Sequence, residues 1–211
     1  MSGRFITLEG SEGAGKSSNL AYIQERLERA GVDLVVTREP GGTPLGEAIR
    51  KLLLDHRNTD MLDDTELLLM FAARSQHIHE LILPSLQQGK WVLCDRFTDA
   101  SYAYQGGGRG IPKERIAILE QWVQGELRPD LTLLLDIPVE QGLERAGARS
   151  EPDRFEREQG GFYQRVRQAY LDRAKADAGR YRIIDASRPL NEVQTQIDTV
   201  LDTQLAAWTS T

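Results

Sequence analysis

The stretch Phe5-Ile-Thr-Leu-Glu9-Gly10-Ser-Glu-Gly-Ala-Gly15-Lys16-Ser17 decides the fold. Residues 10–17 make a complete G-x-x-x-x-G-K-[ST] sequence. A short apolar run precedes it, and Leu20, Ile23, Leu27 and Ala30 follow at helical spacing until Gly31. Strand, glycine-rich turn and helix in that order form a phosphate cradle. The glycines let backbone N–H groups turn inward on a β-phosphate, and the helix N-terminus adds positive potential. Lys16 reaches the β and γ oxygens and Ser17 offers a hydroxyl to Mg²⁺. Gly10, Ser11, Glu12, Gly13, Ala14, Gly15, Lys16, Ser17 and Ser18 are therefore assigned to a nucleoside triphosphate.

Outward from this unit, four more apolar runs rich in β-formers alternate with helical stretches. They are Asp33–Thr37, Trp91–Asp95, Leu131–Asp136 and Tyr181–Asp185. That alternation predicts βαβ units around a parallel sheet. Continuous hydrophobicity, as in Leu131 to Leu135, predicts strands covered on both faces, hence an α/β three-layer sandwich with a five-stranded parallel sheet. Helices are expected at Lys16–Ala30, after Thr43 as N-cap with Pro44 in the first turn, and at Asp64–Gln88 with a kink or early end at Pro84. Others are expected at Pro112–Gln124, Phe162–Ala178 and Leu190–Trp208. The charged segment Gly147 to Gly161 has no apolar stripe and reads as a mobile lid or surface loop.

The 211 residues, 40% of them apolar and with 19 glycines, fit one globular domain with insertions. No run approaches the roughly 18 apolar residues of a membrane span, and the first residues lack a signal-peptide pattern, so neither export nor membrane insertion is expected. Cys94 stands alone, which excludes an internal disulfide and structural zinc and fits a reducing cytoplasm. A net charge of −6 is the wrong sign for holding nucleic acid. Arginines outnumber lysines, 21 to five, so only individually placed arginines carry meaning.

Asp95 ends an apolar strand as a metal-holding carboxylate would, beside the triphosphate. Asp136 has a similar place, but Pro138 points to a turn or cap. Two further segments follow strands two and three: Arg38-Glu-Pro-Gly-Gly-Thr-Pro44 and Asp95 to Arg109. Ligands of open α/β sheets bind at the carboxyl edge, so a second pocket facing the first is expected there. Arg38, Arg50 and Arg96 could converge on an anion, with the tyrosines and Gln105 against a planar ring; Gly106 to Gly108 could equally be a flexible turn. His77 and His79, two apart on a helix, point to different faces and make a poor metal pair.

These residues resemble the bacterial thymidylate kinases. The resemblance rests on the cradle with Glu12 inside it, REPGGTP at Arg38 to Pro44, FAAR at Phe71 to Arg74, DRF at Asp95 to Phe97 and AYQGGGRG at Ala103 to Gly110. It implies a P-loop nucleotide kinase that phosphorylates dTMP to dTDP with ATP and Mg²⁺. By that resemblance Arg50 and Arg96 hold the dTMP phosphate, and Arg74, Ser101 and Gln105 bind thymine. Tyr104 favours deoxyribose, Glu12 addresses the 3′ hydroxyl, and Glu39 and Pro40 line the pocket. Phe71 stacks on the base, although relatives carry the aromatic four residues before the arginine, where Met70 stands here. Arg145 lies against adenine. Ser17 and Asp95 serve the metal.

Because Glu12 occupies the cradle, an extra cation for the transferring phosphoryl group must come from the lid: Arg149, Arg154 or Arg157, acting as an arginine finger. Lys16, Arg96, Arg149 and Arg154 are the candidate catalytic residues. A phosphate monoester has its second pKa near about 6, so the acceptor is already ionised and needs no general base. Three rivals remain. A GTPase switch lacks its N-K-x-D segment, a deoxynucleoside kinase shares the fold, and a regulatory module would bind ATP without transfer. A homodimer through the helix at Asp64–Gln88 is also expected.

Overall fold

The structure, a computed structural model, describes residues 3–147, 154, 155, 158 and 160–209. In chain order, β1 (Phe5–Glu9) leads through the cradle into α1 (Lys16–Arg29), and β2 (Leu34–Arg38) into α2 (Pro44–Leu54). Then α3 (Asp63–His77) runs through a π-helical turn at Ile78–Ile82 into α4 (Leu83–Gln87) and β3 (Trp91–Asp95). From β3, α5 (Thr98–Ser101) continues as π-helical turns over Tyr102–Gly108 towards α6 (Lys113–Gln124) and β4 (Leu131–Asp136). The chain closes with α7 (Val139–Gly147), α8 (Gly160–Ala176), β5 (Tyr181–Asp185) and α9 (Leu190–Thr209).

All five strands pair in parallel, in the order β2-β3-β1-β4-β5. The expected three-layer α/β sandwich is therefore present, with β2 starting and ending one residue later than the sequence pattern placed it. The three central strands are buried nearly throughout and the two edge strands only in part, which is why the central ones read as unbroken apolar runs. Side chains alternate across the sheet: Ile6 and Leu8 join Ile23, Leu27, Leu133 and Ile197 on one face, while Phe5 joins Ile78, Val92 and Phe97 on the other. Each fully buried aliphatic side chain adds about 1.5–3 kcal/mol to this core. Leu8 and Arg38 both register against Asp95, so Glu9, Arg38 and Asp95 end at one sheet edge. Strand order reverses between β1 and β3, and the crevice opens there.

Several expectations change. At Pro84 the helix does not stop; it runs on to Gln87. The Leu83 N–H reaches back to the Ile78 carbonyl, so the ladder widens one turn ahead of the proline that cannot donate. Residues 98–108 are helical, so Gly106 to Gly108 form no flexible turn. Gly107 lets α8 approach so closely that a Cβ there would stand 2.7 Å from the Arg165 carbonyl oxygen and the Ala169 Cβ. Among the described residues the Asp136 carboxylate caps no turn and instead receives Arg167 through two bonds of 2.7 and 2.8 Å. The 147–161 segment lies mostly outside the described residues, Arg149 and Arg157 with it.

Candidate active site

A backbone cradle is set at the end of β1 by the register of the sheet. Gly15, in left-handed backbone at φ +83°, turns the chain into α1, so the helix begins with free N–H groups facing the crevice. Gly13 is required for space: a Cβ there would lie 1.9 Å from the Gly142 carbonyl oxygen of α7. Lys16, 7% exposed, folds over the loop and donates to the carbonyls of Gly10 (3.1 Å) and Ser11 (3.2 Å). Burial, reinforced by Arg96, lowers its pKa from the ordinary lysine value. Ala14 is buried beneath the loop, while Ser17 and Ser18 stand exposed in the first helical turn.

A single cavity of about 250 Å³ opens on this cradle and on the second pocket; Gly13, Lys16 and Ser17 line it together with Arg50, Arg74, Ser101 and Gln105. Asp95 also lines it, and its Oδ1 is buried with no hydrogen-bond partner among the described residues. No group of three His, Cys, Asp or Glu among the described residues could hold a metal alone. An orphaned carboxylate oxygen and a serine hydroxyl fit an ion that arrives with phosphates and brings most of its oxygen ligands with it.

Arg96 has left-handed backbone at φ +67°, a strained setting for a non-glycine residue. Phe97, next in the chain, has its N–H held by the buried Glu9 carboxylate at 2.7 Å, and Tyr170 donates to the other Glu9 oxygen at 2.7 Å. Burial and the nearby Asp99 push the Glu9 pKa from 4.5 up to about 8. From this turn the Arg96 guanidinium meets Glu12 in an ion pair and the Tyr104 hydroxyl at 3.0 Å, while its buried Nε has no partner among the described residues. An unpaired buried donor of this kind suits an incoming anion. Burial works to raise the Glu12 pKa, but Arg96 and Lys16 outweigh it and bring it down to about 2, so Glu12 stays ionised.

The far wall comes from α3 and its neighbours. Arg74, 2% exposed, donates through Nε to Glu39 (2.7 Å), through Nη1 to Ser101 (3.2 Å) and through Nη2 to the Phe97 carbonyl (3.2 Å). A guanidinium has five N–H donors, so two remain for a ligand. Gln105 is fixed by Glu66, a fully buried carboxylate that also receives Arg109 and Arg154. Arg50 reaches the Pro40 carbonyl at 2.8 Å and lines the cavity with Glu39 and Pro40.

Of the expected arginines and aromatics, Arg38, Phe71, Arg154 and Arg145 do not line the cavity. Arg38 is 51% exposed and pairs with Glu47 on the rim, because Glu47 sits one turn into α2 and faces it. Phe71 turns into the cluster of Leu67, Tyr102, Ile111 and Ile116, with its ring under Arg74 at 4.6 Å; Met70 lines the cavity instead. Helical geometry explains this: a residue three positions before Arg74 and one four before it differ by about 100° around the axis. Arg154 lies at the acceptor end, its Nη2 2.6 Å from Glu66 and its Nε on the Leu53 carbonyl, not at the cradle. Arg145 braces the chain after β5 through the Ala186 and Ser187 carbonyls. Glu66, Leu54 and Phe155 are parts of the site that the sequence did not single out. An acidic residue among the leucines of α3 was the signal for Glu66.

A family model described as "Thymidylate kinase" matches residues 8–197. The "Thymidylate kinase" of Ectopseudomonas mendocina (strain ymp) is 62% identical over 207 residues, 98% of this chain and 99% of that one. That of Pseudomonas entomophila (strain L48) is 63% identical over 201 residues, 95% and 96% of the two chains. The crystal structure of thymidylate kinase from Ehrlichia chaffeensis superposes with a TM-score of 0.77 at 35% identity, covering 96% of this chain and 99% of that one. With a complete phosphate cradle facing an arginine-walled second pocket at one sheet edge, the chain belongs to the thymidylate kinase family.

Proposed function

We propose that this protein transfers the γ-phosphoryl group of ATP to the 5′-phosphate of dTMP, giving dTDP and ADP. The observation that carries this reading is that the cradle and the arginine-walled pocket open on one cavity, so donor and acceptor phosphates can meet in line. Lys16 leaves the Gly10 and Ser11 carbonyls to neutralise the donor oxygens. Arg50 and Arg96 take the acceptor phosphate, while Arg74, Ser101 and Gln105 read thymine against Met70. Glu12, kept ionised, accepts from the sugar 3′ hydroxyl, and Tyr104 closes the 2′ side. The ionised acceptor attacks the γ-phosphorus as the bond to the β-bridging oxygen breaks, and that electron pair leaves on ADP. Ser17 and Asp95 would hold Mg²⁺, which supplies charge neutralisation on the donor phosphates.

The chain acts as one kinase domain in which the 147–161 segment excludes water on closing. Arg149 or Arg157 supplies the late cation, or Arg154 after exchanging its Glu66 partner. Arg145 lies beside adenine. Two copies pair through α2, α3 and α6, where Leu45, Leu52, Leu68, Ile118 and Trp122 stand more than half exposed. Among the described residues no helix is long and apolar enough to cross a membrane. The buried free thiol of Cys94 fits a cytoplasmic setting.

ATP consumption measured with dTMP, dUMP, dCMP, AMP, GMP and thymidine tests the reading. The expected result is fastest turnover with dTMP. AMP or GMP as the best acceptor, or thymidine above dTMP, would overturn it.

A further inference from the structure

His77 closes α3 with no exposed surface, and it touches no part of the cavity. Both of its ring nitrogens are engaged: Nδ1 lies 3.0 Å from Glu39 Oε1, and Nε2 lies 2.7 Å from Thr37 Oγ1. A carboxylate only accepts, so in the neutral ring Nδ1 carries the proton and Nε2 accepts from the threonine hydroxyl. The other Glu39 oxygen accepts from Arg74 Nε, and Arg74 precedes His77 by three residues on the same helix. The chain from Thr37 to Gly42 is thus gripped by two residues on one helical turn. Gly42 packs directly on the ring: a Cβ there would lie 2.5 Å from Nε2 and 2.6 Å from Thr37 Oγ1.

We propose that His77 is a positioning residue for recognition of the acceptor's base: it fixes the Glu39 carboxylate, and through it the plane of the Arg74 guanidinium. The inference rests on the proposed function. Of the three groups that orient Arg74, Glu39 alone is charged, so it holds the strongest of the three bonds. If the His77 donor is removed, Glu39 Oε1 is left without a partner among the described residues. The carboxylate is then free to rotate, and the two unused Arg74 donors lose their fixed aim. A leucine would fill much of the same space without holding the carboxylate. The effect therefore falls on the nucleoside monophosphate and not on ATP, whose cradle lies on β1 and α1.

The test compares His77→Leu, His77→Asn and His77→Gln in the full chain. Three quantities are read: the dTMP dissociation constant by calorimetry, the steady-state KM for ATP, and Tm. Asparagine places an N–H near the Nδ1 position and so can still hold Glu39; glutamine reaches towards Thr37 but misses Glu39. His77→Leu is expected to weaken dTMP binding about tenfold, with the KM for ATP within about twofold. His77→Asn recovers dTMP binding to within about threefold of wild type, while His77→Gln stays near the leucine value. Should His77→Leu fail to fold, the contrast between the asparagine and glutamine variants decides alone. Unchanged dTMP binding with only a lower Tm overturns the proposal, as does equal weakening by asparagine and glutamine. Wild-type protein that does not bind dTMP overturns the functional reading as well, which separates the two failures.

Discussion

The two halves of the cavity are built on different principles. The donor half is local: one strand, one turn and one helix within residues 5–29 supply nearly all of it, and its ligands are mostly backbone N–H groups. The acceptor half draws side chains from α2, α3, the turn after β3 and the π-helical stretch that follows, with Arg74 and Gln105 oriented by buried carboxylates. A cradle made of backbone depends on conformation and space. A pocket made of side chains depends on second partners such as Glu39, Glu66 and Glu9. Substitutions on the two sides should therefore fail in different ways.

The largest expected effect is on the donor side. Lys16→Ala removes the only side-chain cation of the cradle and should lower kcat by about a hundredfold or more while leaving dTMP affinity within about twofold, read by single-turnover kinetics and calorimetry. Equal loss of dTMP binding would break the division into halves. Gly13→Ala comes next, because its Cβ would overlap the Gly142 carbonyl oxygen and the backbone would have to move. A stability loss of about 2–3 kcal/mol in denaturant titration is expected, with weakened ATP binding.

On the acceptor side, Arg74→Lys keeps the charge but loses the planar fork, so the KM for dTMP should rise about tenfold with the KM for ATP unchanged. The smallest effect sharpens the comparison at the seam between the halves. The Glu9 pKa is raised in the folded protein from 4.5 to about 8, so its contribution to stability is fully present below 4.5 and is lost as pH rises through 8. Glu9→Gln can still accept from Phe97 N–H, and it cannot ionise. Its Tm should consequently fall less than that of wild type between pH 4.5 and pH 8, the interval bounded by those two values. Parallel Tm curves for the two proteins would show that folding does not raise the Glu9 pKa.

The donor half was legible because each of its determinants is local. Glycines at fixed spacing, an apolar strand before them and a helical stripe after them need no partner elsewhere in the chain. Strand positions were legible for the same reason; only the edge strand β2 shifted, by one residue. The acceptor half was legible in outline, as a second pocket at the carboxyl edge with arginines for an anion, but its residue roles came only through family resemblance, and there the details slipped. Phe71 and Met70 are neighbours in sequence but face opposite environments, and Arg38 has the right chemistry but finds Glu47 first. Gly106 to Gly108 read as a possible turn, since nothing nearby announces that α8 will press against Gly107 and hold the stretch in helical turns.

By itself, then, the sequence determined the alternation of strands and helices, the cradle from Gly10 to Ser17, and the absence of any internal disulfide. Such features follow from periodicity, backbone freedom and residue counts, which act over a few positions or none. Tertiary structure alone decided that Glu9 holds the turn carrying Arg96, that Glu66 gathers Gln105, Arg109 and Arg154, and that His77 reaches Glu39. A buried polar group must find its partner wherever the fold brings one, and these partners lie tens of residues apart in the chain.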